Sequence, residues 1–211
     1  MTISKSRILT NRINYAVSEN LISSVKPKSK GVYLITLTED GKKNQYEISE
    51  GTYREIGSPL SGYFMDCGAY EVMREEDERR RAMKRALRIL ECADKSKSAL
   101  RLKLLSLGFS KEISSDTVEE CVRLGYIDEG RTAERIVISL ATRDLLGPKR
   151  IYAKLASRGY GSAVISRTIS NLTQSGELDF DEVRQALILK KQPKDDEEKR
   201  AILFKHGFVY D

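Results

Sequence analysis

Residues 100–128 read LRLKLLSLGFSKEISSDTVEECVRLGYID. The stretch parses as a helix, a Gly-aromatic corner at Gly108-Phe109, a second helix, and a second glycine corner at Gly125. The same grammar returns at 151–179, IYAKLASRGYGSAVISRTISNLTQSGELD, and begins a third time at Lys199 with KRAILFKHGFVYD. Aligning Gly108-Phe109, Gly159-Tyr160 and Gly207-Phe208 brings the apolar positions into register. Leu104, Leu155 and Leu203 each stand four residues before their glycine. Ile113 then matches Val164, Val118 matches Ile169, and Cys121 matches Leu172. Self-similarity at this period predicts tandem helical units, each too small to bury its apolar face alone.

The fold class expected is mainly α: tandem three-helix repeats forming an elongated curved array, preceded by a small N-terminal β module. The boundaries read as a leader at 1–30, a β module at 31–68, repeat one at 69–127, repeat two at 128–176, and a truncated repeat three at 177–211. In the leader, a short helix is expected around Asn11–Ser24, and Lys26–Lys30 is expected to be a linker. Val32–Thr38 reads as a β-branched strand, Asp40-Gly41 as its hairpin turn, and Asn44–Ser49 as the return. Residues 51–56 read as a further strand or a helical turn. Within repeat one, Ser98 is expected to cap the second helix and Asp116 the third. In repeat two, helices are expected over 129–142, from Pro148 to Arg158, and over 162–175. In repeat three they are expected near 181–191 and 195–206.

The 211 residues carry 37 Lys and Arg against 31 Asp and Glu, a formal net charge of +6. The excess sits in the middle: residues 69–176 hold 21 basic and 15 acidic side chains, whereas 177–211 hold 7 and 9. Such a chain attracts anionic partners, although solvated helical faces give the same balance. Cys67, Cys92 and Cys121 lack CxxC spacing, and their odd number fits reduced thiols in a cytoplasmic protein. No apolar run reaches membrane-spanning length and no apolar leader is present. His206 has no ligand-spaced partner, so neither a metal nor a cofactor is expected. Gly159-Tyr160-Gly161 follows a helix rather than a strand, which excludes a nucleotide loop. No enzymatic activity is expected.

The basic residues left outside the apolar stripes are Arg101 and Lys103 in repeat one, and Arg143, Lys149, Arg150, Lys154 and Arg158 in repeat two. Arg150, Lys154 and Arg158 follow at four-residue spacing and line one helical face. That face would meet an acidic protein surface or nucleic-acid phosphate, or is simply solvated. The Arg79–Arg81, Lys84 and Arg85 block follows Glu75–Glu78, which favours pairing within one helix.

Several motifs taken in order resemble the RecX family, bacterial modulators of the RecA recombinase. They are Tyr70 with Ala86-Leu87-Arg88-Ile89-Leu90; Ser98-x-x-x-Leu102-Lys103-Leu104-x-x-x-Gly108-Phe109; Leu124-Gly-Tyr-Ile-Asp128; and Gly147-Pro-x-Arg150-Ile151-x-x-x-Leu155-x-x-x-Gly159. The resemblance covers 70–211. It implies a non-enzymatic monomer that binds the groove of the RecA filament and limits its extension or promotes disassembly. It further implies a role in DNA repair, homologous recombination and the SOS response, with weak binding of single- or double-stranded DNA. The alternatives are a stand-alone nucleic-acid-binding array and a protein-binding adaptor. The chain departs from the family pattern at Thr132-Ala133, where the family usually has an aromatic before a small residue; at Glu177-Leu178-Asp179, which lacks the aromatic found at Tyr126; and in the missing last helix of repeat three.

Overall fold

In the computed structural model, residues 20–209 are described. The chain forms two compact units that divide between Arg80 and Arg81.

The first unit is built on an antiparallel sheet of order β1-β2-β3, with β1 Leu21–Ser29, β2 Val32–Glu39 and β3 Lys42–Ser49. Asp40 and Gly41 both take positive φ, the backbone a two-residue hairpin turn requires. The 21–30 stretch is therefore a strand and its turn, not a leader and linker; the rest of the helix expected from Asn11 lies outside the described residues. Lys-Pro-Lys-Ser misleads because Pro27 lies beside a β-bulge on an edge strand, where the ladder needs no donor from it. Residues 51–56 resolve as helix: α1 spans Glu50–Glu55, with the Ser49 hydroxyl accepting from the Thr52 N–H at 3.2 Å. The core joins Ile22, Ile35, Leu37, Tyr46 and Ile48 of the sheet to Met65 and Met73. Met73 belongs to α2, Cys67–Cys92, whose buried Asp77 accepts from the Glu47 N–H at 2.8 Å. A lone hairpin would be marginal; here β1 and the first half of α2 complete it. On this half of α2, Arg79 pairs with Glu75 at 2.6 Å and Arg80 with Glu76 at 3.8 Å.

The second unit is helical. After the second half of α2 come α3 Lys97–Ser106, α4 Lys111–Arg123, α5 Glu129–Thr142, α6 Pro148–Ser157, α7 Ser162–Gln174, α8 Phe180–Lys191 and α9 Asp196–His206. Ala86, Leu100, Leu104, Val118, Cys121 and Ile127 form one core, flanked by Phe109. A second core runs without interruption from Ala133 on α5 to Phe208 after α9. The third repeat thus shares its core with the second.

Two caps differ from expectation. Ser96, not Ser98, caps α3, its hydroxyl accepting from the Ala99 N–H at 3.1 Å. Ser110, not Asp116, caps α4, accepting from the Ile113 N–H at 3.2 Å. Burial decides both: Leu100 and Ile113 must already be helical for their side chains to face the core, so each helix begins earlier than the expected cap. The two departures in small residues are accommodated. Ala133 is fully buried, and at the second corners the core position is Ile127 or Leu178, while Tyr126 is exposed. Losing the aromatic at Glu177 therefore removes nothing from the interior.

Candidate partner-binding surface

All of the candidate basic residues but Arg143, which closes α5, are carried by second helices that meet end to end or by the residue that closes them. Gly207 takes φ 87° and closes α9. Beyond it, the Gly147 N–H donates to the His206 carbonyl at 2.8 Å and the Lys149 N–H to the Gly207 carbonyl at 3.2 Å. Helix α6 has no side-chain cap, so the last carbonyls of α9 satisfy amides that a cap would otherwise bind. The approach is so close that a Cβ on Gly147 would meet the Gly207 carbonyl oxygen at 2.7 Å. The arrangement repeats one step along. The Ser96 hydroxyl donates to the carbonyl of Arg158, the C-cap of α6, at 2.8 Å, and a Cβ on Gly159 would stand 2.8 Å from Ser96 Oγ. The order is thus α9 onto α6 onto α3. Gly108, the third corner, has φ 90° and no described neighbour near its Cβ position.

This file disperses the seven basic residues expected to bind a partner. Arg101, Lys103, Arg143, Lys149, Arg150 and Arg158 are exposed; Lys154 is half-buried and pairs with Asp144 at 3.4 Å. Arg101 lines a groove shared with Lys97, Glu119 and Glu129, where acids offset its charge. Lys149 turns to the other side of α6, beside Tyr152 and the α7 residues Ser166, Ile169 and Ser170. Tyr152 is exposed, so an aromatic ring accompanies a basic residue here.

Arg143 and Arg158 converge. They border a groove of about 560 Å³ along α5, together with Asp94, Thr132, Arg135 and Ser139. Asp94, Ile136 and Arg158 also border a second groove of about 570 Å³, which runs past Lys95, Ala99, Leu102, Ala156 and Tyr160. Burial pushes the Tyr160 phenol above its ordinary pKa, with the charges of Glu129 and Asp94 adding to the shift, so it lines the groove as a neutral group. Arg135 pairs with Asp94 at 3.2 Å across the junction, and both are well exposed. Neither Arg143 nor Arg158 has an ion-pair partner among the described residues. Sequence reasoning missed Arg135, Thr132 and Ser139. Their signal was the spacing 132, 135, 139 and 143 on α5, beside the buried stripe of Ala133, Val137, Leu140 and Ala141.

The other chemistry is structural. His206 Nδ1 lies 2.9 Å from the Ile202 carbonyl. Among the described residues, no cluster of His, Cys, Asp and Glu could hold a metal ion, and no helix is long and apolar enough to cross a membrane.

No family model matches the chain. It is 31% identical over 92 residues to a protein named regulatory protein RecX from Trichlorobacter lovleyi, an alignment covering 44% of this chain and 60% of that one. It is 31% identical over 88 residues to the same-named protein of Pelodictyon phaeoclathratiforme, covering 42% and 55%. These two matches therefore span less than two thirds of either relative. A longer match, 24% identical over 176 residues, covers 83% of this chain and 79% of regulatory protein RecX from Clostridium acetobutylicum. Among solved structures, a crystal structure of regulatory protein RecX superposes over 90% of this chain with a TM-score of 0.65 at 22% identity. RecX from Lactobacillus salivarius superposes over 64% with a TM-score of 0.54 at 21% identity. Both share the fold.

Proposed function

Since this chain belongs to the RecX family of regulatory proteins, we propose that it modulates the RecA recombinase, mainly as an inhibitor. It binds the RecA filament in its groove, limits extension or promotes disassembly, and so acts in DNA repair and SOS regulation. It performs no chemistry of its own. The nucleotide hydrolysis that it restrains belongs to the partner.

The observation that carries this reading is the convergence of Arg143 and Arg158, without acidic partners, on an open surface made by two successive repeats. A regulator of a long polymer needs many modest contacts at fixed spacing, and charges fixed to interlocked helices supply them. Arg150 and Lys154 extend the cationic surface along α6, while Arg101, Lys103 and Lys149 add contacts on other faces.

The test is DNA-dependent ATP hydrolysis by RecA with substoichiometric amounts of this protein. Hydrolysis is expected to slow, and replacing Arg150, Lys154 and Arg158 together by Ala is expected to weaken the effect. An unchanged rate at every ratio, with filaments intact by electron microscopy, rejects the function. Tyr152 beside Lys149 supports a second contact, weak and stacking, with single-stranded DNA. Tyr152→Ala should then reduce oligothymidylate binding measured by fluorescence anisotropy.

A further inference from the structure

The two grooves meet at Asp94, Ile136 and Arg158, and both set cationic and hydroxyl groups beside apolar ones. Along α5, Arg135, Arg143 and Arg158 stand with Thr132 and Ser139 beside Ile136, Ile138 and Leu140. Toward α3, Ala99, Leu102 and Ala156 stand with Lys95, Ser157 and the buried Tyr160, and Leu102 is 62% exposed. Among the described residues the only carboxylate lining either groove is that of Asp94, and it is held by Arg135. Nucleic acid would use the arginines, but it has no use for an aliphatic floor that lacks an exposed ring on which to stack a base. A protein segment with carboxylates at one end and a branched apolar side chain at the other would use both halves.

We propose that this continuous groove is a docking site for an acidic peptide segment bearing a Leu-like anchor. Its carboxylates engage Arg143 and Arg158, and its anchor lies against Leu102, Ala99 and Ala156. Arg135 is held in reserve by Asp94. A surface ion pair of this kind contributes little to stability, so an incoming carboxylate can take over the guanidinium at small cost. Because Ser96 and Gly159 fix one repeat against the next at the groove's edge, the site exists only while that junction is closed. The proposal deepens the regulatory reading by naming the chemistry of the partner segment.

The probe is a short fluorescein-labelled synthetic peptide with Glu and Leu on one face at helical spacing, titrated with the full chain. Its controls are a Glu→Gln version, a Leu→Ser version and labelled oligothymidylate. The Glu/Leu peptide should bind, weakening with salt, and each control peptide should bind at least about tenfold more weakly, the scale of one lost charge-assisted contact. The Arg143→Ala, Arg158→Ala double variant and the Leu102→Ser variant, both checked for unchanged circular dichroism, should each lose peptide affinity, with Leu102→Ser leaving oligothymidylate binding unchanged. No peptide binding, or binding indifferent to these substitutions, overturns the proposal. So does oligothymidylate that displaces the peptide and depends on the same arginines. RecA inhibition is measured separately: peptide binding without inhibition rejects the RecA role and keeps the groove, whereas inhibition that survives both variants rejects the groove as the contact and keeps the role.

Discussion

The Ser96 hydroxyl donates to the Arg158 carbonyl at 2.8 Å while accepting from the Ala99 N–H at 3.1 Å. One buried side chain thus caps the start of α3 and satisfies the end of α6. Ser96→Ala removes a cap, a loss of about 1 kcal/mol, and leaves a carbonyl at a closed junction unpartnered, which costs about 1–3 kcal/mol. Urea denaturation should show a loss of about 2–4 kcal/mol, whereas Ser98→Ala should change stability by less than about 0.5 kcal/mol.

The three Gly-aromatic corners look alike in sequence and differ in crowding. Gly108→Ala meets only the left-handed backbone penalty, about 1–2 kcal/mol. Gly159→Ala adds a clash with Ser96 Oγ, which a side chain can partly relieve. Gly207→Ala drives its Cβ into the backbone nitrogen of Arg150, which cannot move without opening the helix. Denaturation midpoints should fall in the order Gly108→Ala, Gly159→Ala, Gly207→Ala, the last being lowest; equal losses at all three would contradict the interlocked file.

Leu155 is fully buried and Arg150, one turn and a residue earlier, is exposed. Leu155→Ala should cost about 2–5 kcal/mol, and Arg150→Ala less than about 0.5 kcal/mol. Thermal unfolding of the two variants checks the contrast.

Cys67 and Cys92 are exposed, while Cys121 is buried with its sulfur 3.9 Å from that of Met83. Burial pushes the Cys121 thiol above its ordinary pKa, with the nearby Glu120 charge adding to the shift. Native protein should therefore give two thiols that react rapidly with an aromatic disulfide reagent and one that reacts only on unfolding. The linkage has a definite sign. Because the folded state holds the proton more tightly, the stabilisation is complete below the unfolded thiol pKa and is lost as pH rises through the raised folded value. Alkaline destabilisation should thus be smaller in Cys121→Ala, measured against its own stability at neutral pH.

Much of the helical unit could be read from its repeats, because each apolar stripe and each glycine terminator acts locally, whereas the caps at Ser96 and Ser110 were set by which residues must face the core. Asp128 and Asp195, at whose positions helices are expected to begin, cap the helices that follow them. Strand β1 could not be read so, since Pro27 and its neighbouring lysines carry a linker's composition while Ile22 and Val25 pack into the core of the first unit. The basic residues were legible as a set, but their grouping was not. Helical spacing placed Arg150, Lys154 and Arg158 on one face. Yet it is the distant α5 that brings Arg143 and Arg135 to Arg158, and Asp144 that occupies Lys154.

The end-to-end meeting of α9, α6 and α3 has a kinetic consequence. Ser96 and Arg158 lie 62 residues apart in the chain, so α3 cannot receive its neighbour until most of a further repeat has been synthesised. Cores within a repeat close through short loops and form early, whereas the junctions wait for distant chain. During synthesis the first repeat therefore folds before its junction with the second can close, and the groove between them is among the last features to become competent.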